Sequence, residues 1–243
     1  SDYGFYDVDY KLRGTPLVSI LIPNKDQADT LRTCLESIKK KCMYPSYEIL
    51  IIENNSTEEA TFSYYKELEA QGIRVLKYPK QGFNYSAINN FAVREARGEY
   101  LLFLNNDVEI ITESWLEEML QLCQQKDVGM AGAKLYYPDD TIQHAGVVVG
   151  LGGVAAHVLC KLPRDAEGYM GRLRCVQEIS AVTAACMMVK TSVFKAVGGF
   201  DEELKVAFND IDFCMKLRKA GYLIVYNPYA ELYHYESKSR GLE

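Results

Sequence analysis

No apolar run in this 243-residue chain approaches the ~20 residues of a membrane-spanning helix. No charged-then-apolar leader is visible either, so no secretory signal is expected. Histidine is scarce. The three present, at 144, 157 and 234, form neither HxH nor HxxxH, and His144 and His157 read as structural residues. A surplus of basic charge is also missing. Net charge is −6 and the pI is near 5.3, which argues against a nucleic-acid binder that relies on a broad basic surface. A small anionic ligand stays possible, because a local site or a metal can neutralise a phosphate. The seven cysteines form no CxxC, and their number is odd. Most sit in apolar runs such as TAACMMV and DFCMKL, so buried free thiols in a reducing compartment are expected. Repeats, low-complexity tracts and linkers are absent, and one domain is expected over 1–243. The terminal Leu242-Glu243 reads as a cloning scar, and the chain as a domain excised from a longer one.

What is present is a large apolar fraction, 48%, enough for a sizeable core. PLVSILIP (16–23), YEILII (47–52), IRVLKY (73–78) and EYLLFL (99–104) read as buried strands. Between and after them, helical spacing recurs near 31–42, 58–70, 84–97 and 113–125. Alternation of strand and helix over residues 16–125 predicts a mostly parallel sheet covered on both faces. From 126 to 241 the pattern becomes mixed: Val-, Gly- and Ala-rich strands and turns, a charged loop at 161–172, a helix over 209–220, the strand YLIVYN and a polar tail.

Three strand ends agree. The first closes on Pro23-Asn24-Lys25-Asp26, the second on Glu53-Asn54-Asn55-Ser56, the fourth on Asn105-Asn106-Asp107. Each alone reads as a turn or a helix cap. In an open α/β sheet they line one carboxyl edge, where ligands bind. Asp107 supplies hard oxygens for Mg²⁺ or Mn²⁺, and Glu53 can accept from a base N–H or a ribose hydroxyl. VVVGLGGVAAHV places Gly150, Gly152 and Ala155 in dinucleotide-fingerprint spacing, but no repeated βαβ unit follows, and tight strand turns are expected there. Asp210 and Asp212 open the late helix, where acids also complement the helix dipole. HYESKSRG gathers His234, Glu236, Lys238 and Arg240, either a solvated tail or a phosphate-gripping lid with His234 as metal ligand.

Taken in order, VSILIPNKD, EILIIENNS, GFNYSAINN, LLFLNNDVEI, VGGFDEEL, FNDIDFCMKLRKAGY and HYESKSRG resemble the family 2 inverting glycosyltransferases of GT-A fold over essentially the whole chain. The chain is most similar to bacterial enzymes of polysaccharide assembly, rhamnosyltransferases among them. The resemblance implies a Rossmann-like nucleotide-binding half fused to a mixed acceptor-binding half. It implies that Pro23, Asn24, Asp26 and Glu53 hold the nucleoside, with Asn84 and Asn89 flanking the pocket. The family's DxD falls on Asn105-Asn106-Asp107, with asparagine in place of the first acid; Asp107 and His234 become the metal ligands. Asp210 becomes the general base, Asp212 an acceptor contact or support for the helix start, and Lys238 and Arg240 the cations over the diphosphate. An arginine common in the family is Ile88 here. The implied donor is a nucleoside-diphosphate sugar, UDP- or dTDP-linked first of all. The implied acceptor is a saccharide, free or lipid-linked, and the implied cofactor is Mn²⁺ or Mg²⁺. The implied place is the cytoplasm or the inner face of the membrane. Two other readings stay open: a nucleotide-sugar or glycan-binding module without turnover, favoured by Asn105 and Asn209, and a sugar-phosphate nucleotidyltransferase. The latter is disfavoured because NKDQAD lacks a Gly-rich basic loop.

Overall fold

Apolar residues at 31, 34, 35 and 38 fall on one side of a helix, and all four are buried in the computed structural model, which describes residue 4 and residues 8–236. That helix, α1 (Ala28–Lys41), ends on three lysines that complement its dipole. It follows β1 (Val18–Asn24) and precedes β2 (Tyr47–Glu53), α2 (Glu59–Ala70), β3 (Arg74–Lys77), α3 (Tyr85–Glu95) and β4 (Tyr100–Leu104). The strands β1, β2 and β4 are short, apolar and almost wholly buried, as a sheet covered on both faces requires. Then come β5 (Val108–Ile110), α4 (Trp115–Cys123), β6 (Val128–Tyr136), β7 (Ile142–His144), β8 (Val147–Val149) and β9 (Ala155–His157). The chain closes with β10 (Gln177–Glu178), β11 (Cys186–Lys190), α5 (Thr191–Ala196), α6 (Asn209–Lys219) and β12 (Leu223–His234).

Among the described residues one ten-stranded sheet runs through both halves, in the order β10-β12-β6-β11-β4-β1-β2-β3, with β5 on β12 and β7 on β6. The nucleotide-type half is parallel: β1 pairs in register with both β2 and β4. Antiparallel β11 joins β4 to β6, and β12 returns parallel to β6. Apolar side chains of α1, α2 and α4, including fully buried Trp115, pack on one face of the sheet. Those of α3, α5 and α6 pack on the other. On that second face Phe103, Phe194, Phe200 and Phe213 stack with centroids 4.9–5.6 Å apart, which fixes α6, and with it Asp210, against β4.

Several elements depart from the sequence reading. The strand expected over YLIVYN does not give way to a tail: β12 runs 12 residues, to His234. Its register shifts between Asn227 and Glu231, and this irregularity accommodates Pro228, the residue that reads as a strand terminator. His234 is therefore a strand residue. β5 and α5 were not expected. Residues 150–154 turn between β8 and β9, a two-stranded hairpin and not a dinucleotide loop. Cys34, Cys123, Cys186 and Cys214 are buried and Cys42, Cys160 and Cys175 partly so, all as free thiols.

Candidate active site

Because β2, β1 and β4 are neighbours, their carboxyl ends converge. Asn24 Oδ1 accepts from Asn106 Nδ2 at 2.6 Å, while Asn24 Nδ2 donates to the Tyr65 phenol and the Asp26 carbonyl. Asn24 is thus buried and braced on all sides, joining the ends of β1 and β4. Pro23 sits in β1, opposite Ile52 of β2. Asp26 has a left-handed φ of 53°. Its Oδ1 takes the N–H groups of Thr57 and Glu58 at 2.7 and 2.9 Å, tying the first loop to the second. Its slight burial opposes ionisation, but those two backbone donors outweigh it and hold the carboxyl below its ordinary range. Glu53 is buried; Oε1 accepts from Ser56 N–H at 2.6 Å, and Oε2 has no hydrogen-bond partner among the described residues. Asn55 pins the loop before α3 by accepting from Gly82 N–H at 2.8 Å. Asn84 caps α3 through Ala87 N–H and donates to the Glu202 carbonyl. Asn89 is fully buried, donates to Tyr85, and leaves Oδ1 without a partner.

Asp107 follows β4 and His234 ends β12, and the structure brings them together. Nε2 of His234 stands 3.2 Å from Asp107 Oδ1 and 3.1 Å from Asn105 Nδ2. Gln143, from β7, decides which imidazole nitrogen carries the proton. Its Nε2 points to the His234 carbonyl at 3.3 Å and to Glu236 at 3.2 Å, both acceptors. Its Oε1, 2.7 Å from His234 Nδ1, must therefore accept. The His234 proton lies on Nδ1, and Nε2 presents a lone pair. It accepts from Asn105 Nδ2 at 3.1 Å, and it also stands 3.2 Å from a buried carboxylate oxygen, Asp107 Oδ1, which has no hydrogen-bond partner among the described residues. A buried carboxylate oxygen without a donor is relieved by a cation. A hard oxygen, an imidazole nitrogen and an outer amide that orients the ring fit Mn²⁺ or Mg²⁺.

The segment 183–185 ties this pair to α6. Ala185 accepts from the Asn105 N–H at 3.0 Å, and Ala184 N–H donates to Asp210 Oδ2 at 3.2 Å. The Ala184 carbonyl takes the Tyr85 hydroxyl. Asp210 Oδ1 accepts from Ile211 N–H, and buried Asn209 accepts from the Asp210 N–H. Asp212 lies elsewhere: its carboxylate pairs with Lys216 at 3.0 Å, and Lys216 also reaches the Gly199 carbonyl. Lys238 and Arg240 lie outside the described residues. Tyr65, Gln143 and the 183–185 backbone escaped the sequence reading. Only the polarity of Gln143 inside an apolar hairpin could have signalled it.

A sheet of this order, with a buried Asp–His pair and a carboxylate-bearing helix at its carboxyl edge, defines a GT-A glycosyltransferase. The chain belongs to glycosyl transferase family 2, whose model matches residues 19–198. An uncharacterized protein, y4gI, of Sinorhizobium fredii is 50% identical over 98% of this chain and 26% of its own length. The O-antigen biosynthesis protein RfbC of Myxococcus xanthus is 41% identical over 97% of this chain and 18% of its own. The chain therefore spans about a quarter or less of these curated relatives. A mannosyltransferase from Pyrobaculum calidifontis, solved with GDP-Man and Mn²⁺, superposes at a TM-score of 0.72 with 16% identity, covering 98% of this chain and 62% of that one. GalNAc-T7, solved with UDP, GalNAc and Mn²⁺, gives 0.72 with 14% identity, over 91% and 44%. These last two likenesses show the fold.

Proposed function

We propose that this chain transfers a sugar from a nucleoside-diphosphate sugar to a saccharide hydroxyl in one inverting displacement, within bacterial surface-polysaccharide assembly. The observation that carries this is the buried Oδ1 of Asp107, without a hydrogen-bond partner among the described residues and 3.2 Å from His234 Nε2. A divalent ion held by these two residues would offset the charge of the departing diphosphate. Glu53, through its unengaged Oε2, reads a base or ribose edge. Asn24, Asn106 and Asp26 hold the strand ends and loops that shape this pocket, and Asn84 and Asn89 hold the helix beside it. Asp210 takes the proton of the acceptor hydroxyl as its oxygen bonds to the anomeric carbon and the bond to the diphosphate breaks. Hydrogen bonds from Ala184 and Ile211 fix that carboxylate in place. Lys238 and Arg240 would meet the diphosphate from outside. The kinship with an O-antigen biosynthesis protein supports a surface glycan as product.

The donor is found by thermal-shift screening of nucleotide sugars, UDP- and dTDP-linked first, with and without Mn²⁺. A ligand at about 100 times its Kd stabilises by about 2.7 kcal/mol. With a transfer assay in hand, Asp210→Asn keeps donor binding and lowers kcat by at least about 10²-fold, the low end for a lost general base. Asp212→Asn has a milder effect, as expected for a carboxylate occupied by Lys216. Near wild-type kcat in Asp210→Asn removes the assignment. The alternative, a binding module without turnover, rests on Asn105 and Asn209 standing where acids are expected; nucleotide-sugar binding with no transfer to any acceptor would favour it.

A further inference from the structure

One cluster of titratable side chains has no part in the chemistry above: the imidazoles of His144 and His157. They come from β7 and β9, with Nδ1 atoms 2.8 Å apart and rings edge to face. Two nitrogens at that distance share one proton, and the backbone decides whose it is. The N–H of Thr183 points at His144 Nε2, at 3.5 Å, so that nitrogen carries a lone pair. His144 therefore has its proton on Nδ1 and donates it to His157 Nδ1. His157 is left with its proton on Nε2. His144 is buried and His157 exposed, so the N–H that has no partner among the described residues belongs to the accessible ring. Both rings are neutral near pH 7: burial holds the proton affinity of His144 well below its ordinary value, and loss of solvation on the packed side of the partly accessible His157 ring lowers its affinity as well.

One backbone segment holds both the pair and Asp210. Thr183 and Ala184 are consecutive; the N–H of the first goes to His144 and that of the second to Asp210 Oδ2. The Asp210 charge is among those acting on His157. Gly146 lets the hairpin lie this close. Its φ is +102°, and a Cβ there would meet Ile179 Cγ1 at 2.6 Å. Its carbonyl also takes the N–H of Val158, next to His157.

A neutral N–H and a carboxylate held by one segment suit a sugar. One hydroxyl gives its proton to the carboxylate, and a neighbouring hydroxyl accepts from the N–H, with no charge left uncompensated. A phosphate would be repelled by the carboxylate and would call for a cation. We propose that His157 forms an acceptor-saccharide subsite. Its Nε2–H donates to the hydroxyl vicinal to the one Asp210 deprotonates, and His144 is the positioning residue that fixes its tautomer. This rests on the assignment of Asp210 as base.

Long-range ¹⁵N–¹H spectra of the ¹⁵N-histidine-labelled chain report which nitrogen of each ring is protonated. The expected result is Nδ1–H on His144 and Nε2–H on His157. Methyl α-L-rhamnoside, methyl α-D-mannoside and methyl β-D-galactoside then serve as hydroxyl-bearing probes. At least one should shift the His157 Nε2 signal. His157→Ala should weaken binding of that glycoside about tenfold, the scale of one lost hydrogen bond. His157→Gln, which keeps an N–H donor, should recover part of it. A proton on His157 Nδ1, no response to any of the three probes, or glycoside affinity unchanged in His157→Ala overturns the proposal. The two assignments fail separately. Wild-type transfer by Asp210→Asn removes the base and leaves the spectra standing; the reverse outcome removes the subsite and leaves the base.

Discussion

Asp107 and His234 are 3.2 Å apart in space, yet they come from β4 and from the far end of the chain. The aspartate carries a cost: its Oδ1 is buried and has no donor among the described residues. Asp107→Asn removes that cost, because a neutral amide replaces the buried carboxylate that lacks a donor. The variant should melt at or above the wild-type temperature without ligand, and it should lose the Mn²⁺-dependent part of nucleotide stabilisation. Thermal shifts with a nucleoside diphosphate, with and without Mn²⁺, measure both; an undiminished Mn²⁺ effect would remove Asp107 from the metal site. Asp107 was legible because it belongs to the polar cluster Asn105-Asn106-Asp107 that closes the apolar run LLFL. Gln143 was not, since its partner His234 lies 91 residues away and only the pairing of β7 and β12 with β6 joins them. Asn24 and Asp26 stood out as polar strand-end residues. Their engagement with Tyr65, Thr57 and Glu58 is a property of loop packing that no local pattern encodes.

At the scale of elements, periodicity carried the parallel half, because β1, β2 and β4 are apolar runs with turn residues at their ends. It failed where two signals conflicted. Pro228 marks a strand end, yet β12 continues past it through an irregularity that Asn227 supports by accepting from Tyr229 N–H and donating to the Glu118 carbonyl. The glycines of VVVGLGGVAAHV serve a hairpin turn, where left-handed φ values at 150, 152 and 153 need them. Gly132 has a different task. It sits in the middle of β6, and a Cβ there would meet Val182 Cβ at 2.4 Å. Val182 immediately precedes the 183–185 segment that holds Asp210, so this close approach sets the depth of the site. Gly132→Ala should destabilise by about 1–3 kcal/mol, the usual cost of overpacking a rigid core. Denaturant unfolding reads the loss directly. Pairing it with Val182→Ala should recover much of the stability if the contact is the cause.

Among the described residues one ten-stranded sheet, with the β8-β9 hairpin beside it, gathers the polar machinery at one edge, and that edge contains groups that burial keeps uncharged. His144 is the clearest. It is buried, and its proton affinity is pushed well below the ordinary value of 6.5, by desolvation first and then by the neighbouring imidazoles of His157 and His234. The carboxylates of Asp210 and Glu236 act on His157 in the opposite sense, so they temper the effect within the pair without reversing it. A base that binds its proton less readily when folded makes the unfolded chain the better proton acceptor between the two values. Stability then rises with pH. The contribution is fully present above about pH 6.5 and is lost as pH falls toward the folded value, at a limiting slope of about 1.4 kcal/mol per pH unit for one proton. Urea unfolding of the metal-free protein at steps from about pH 7.5 to about pH 5 measures this slope. His144→Gln keeps an amide N–H for His157 but cannot titrate, so its slope should be shallower than wild type by up to that amount, whatever its absolute stability. Equal slopes for the two proteins would mean that His144 already binds its proton in the folded state, and the neutral imidazole pair would go with it.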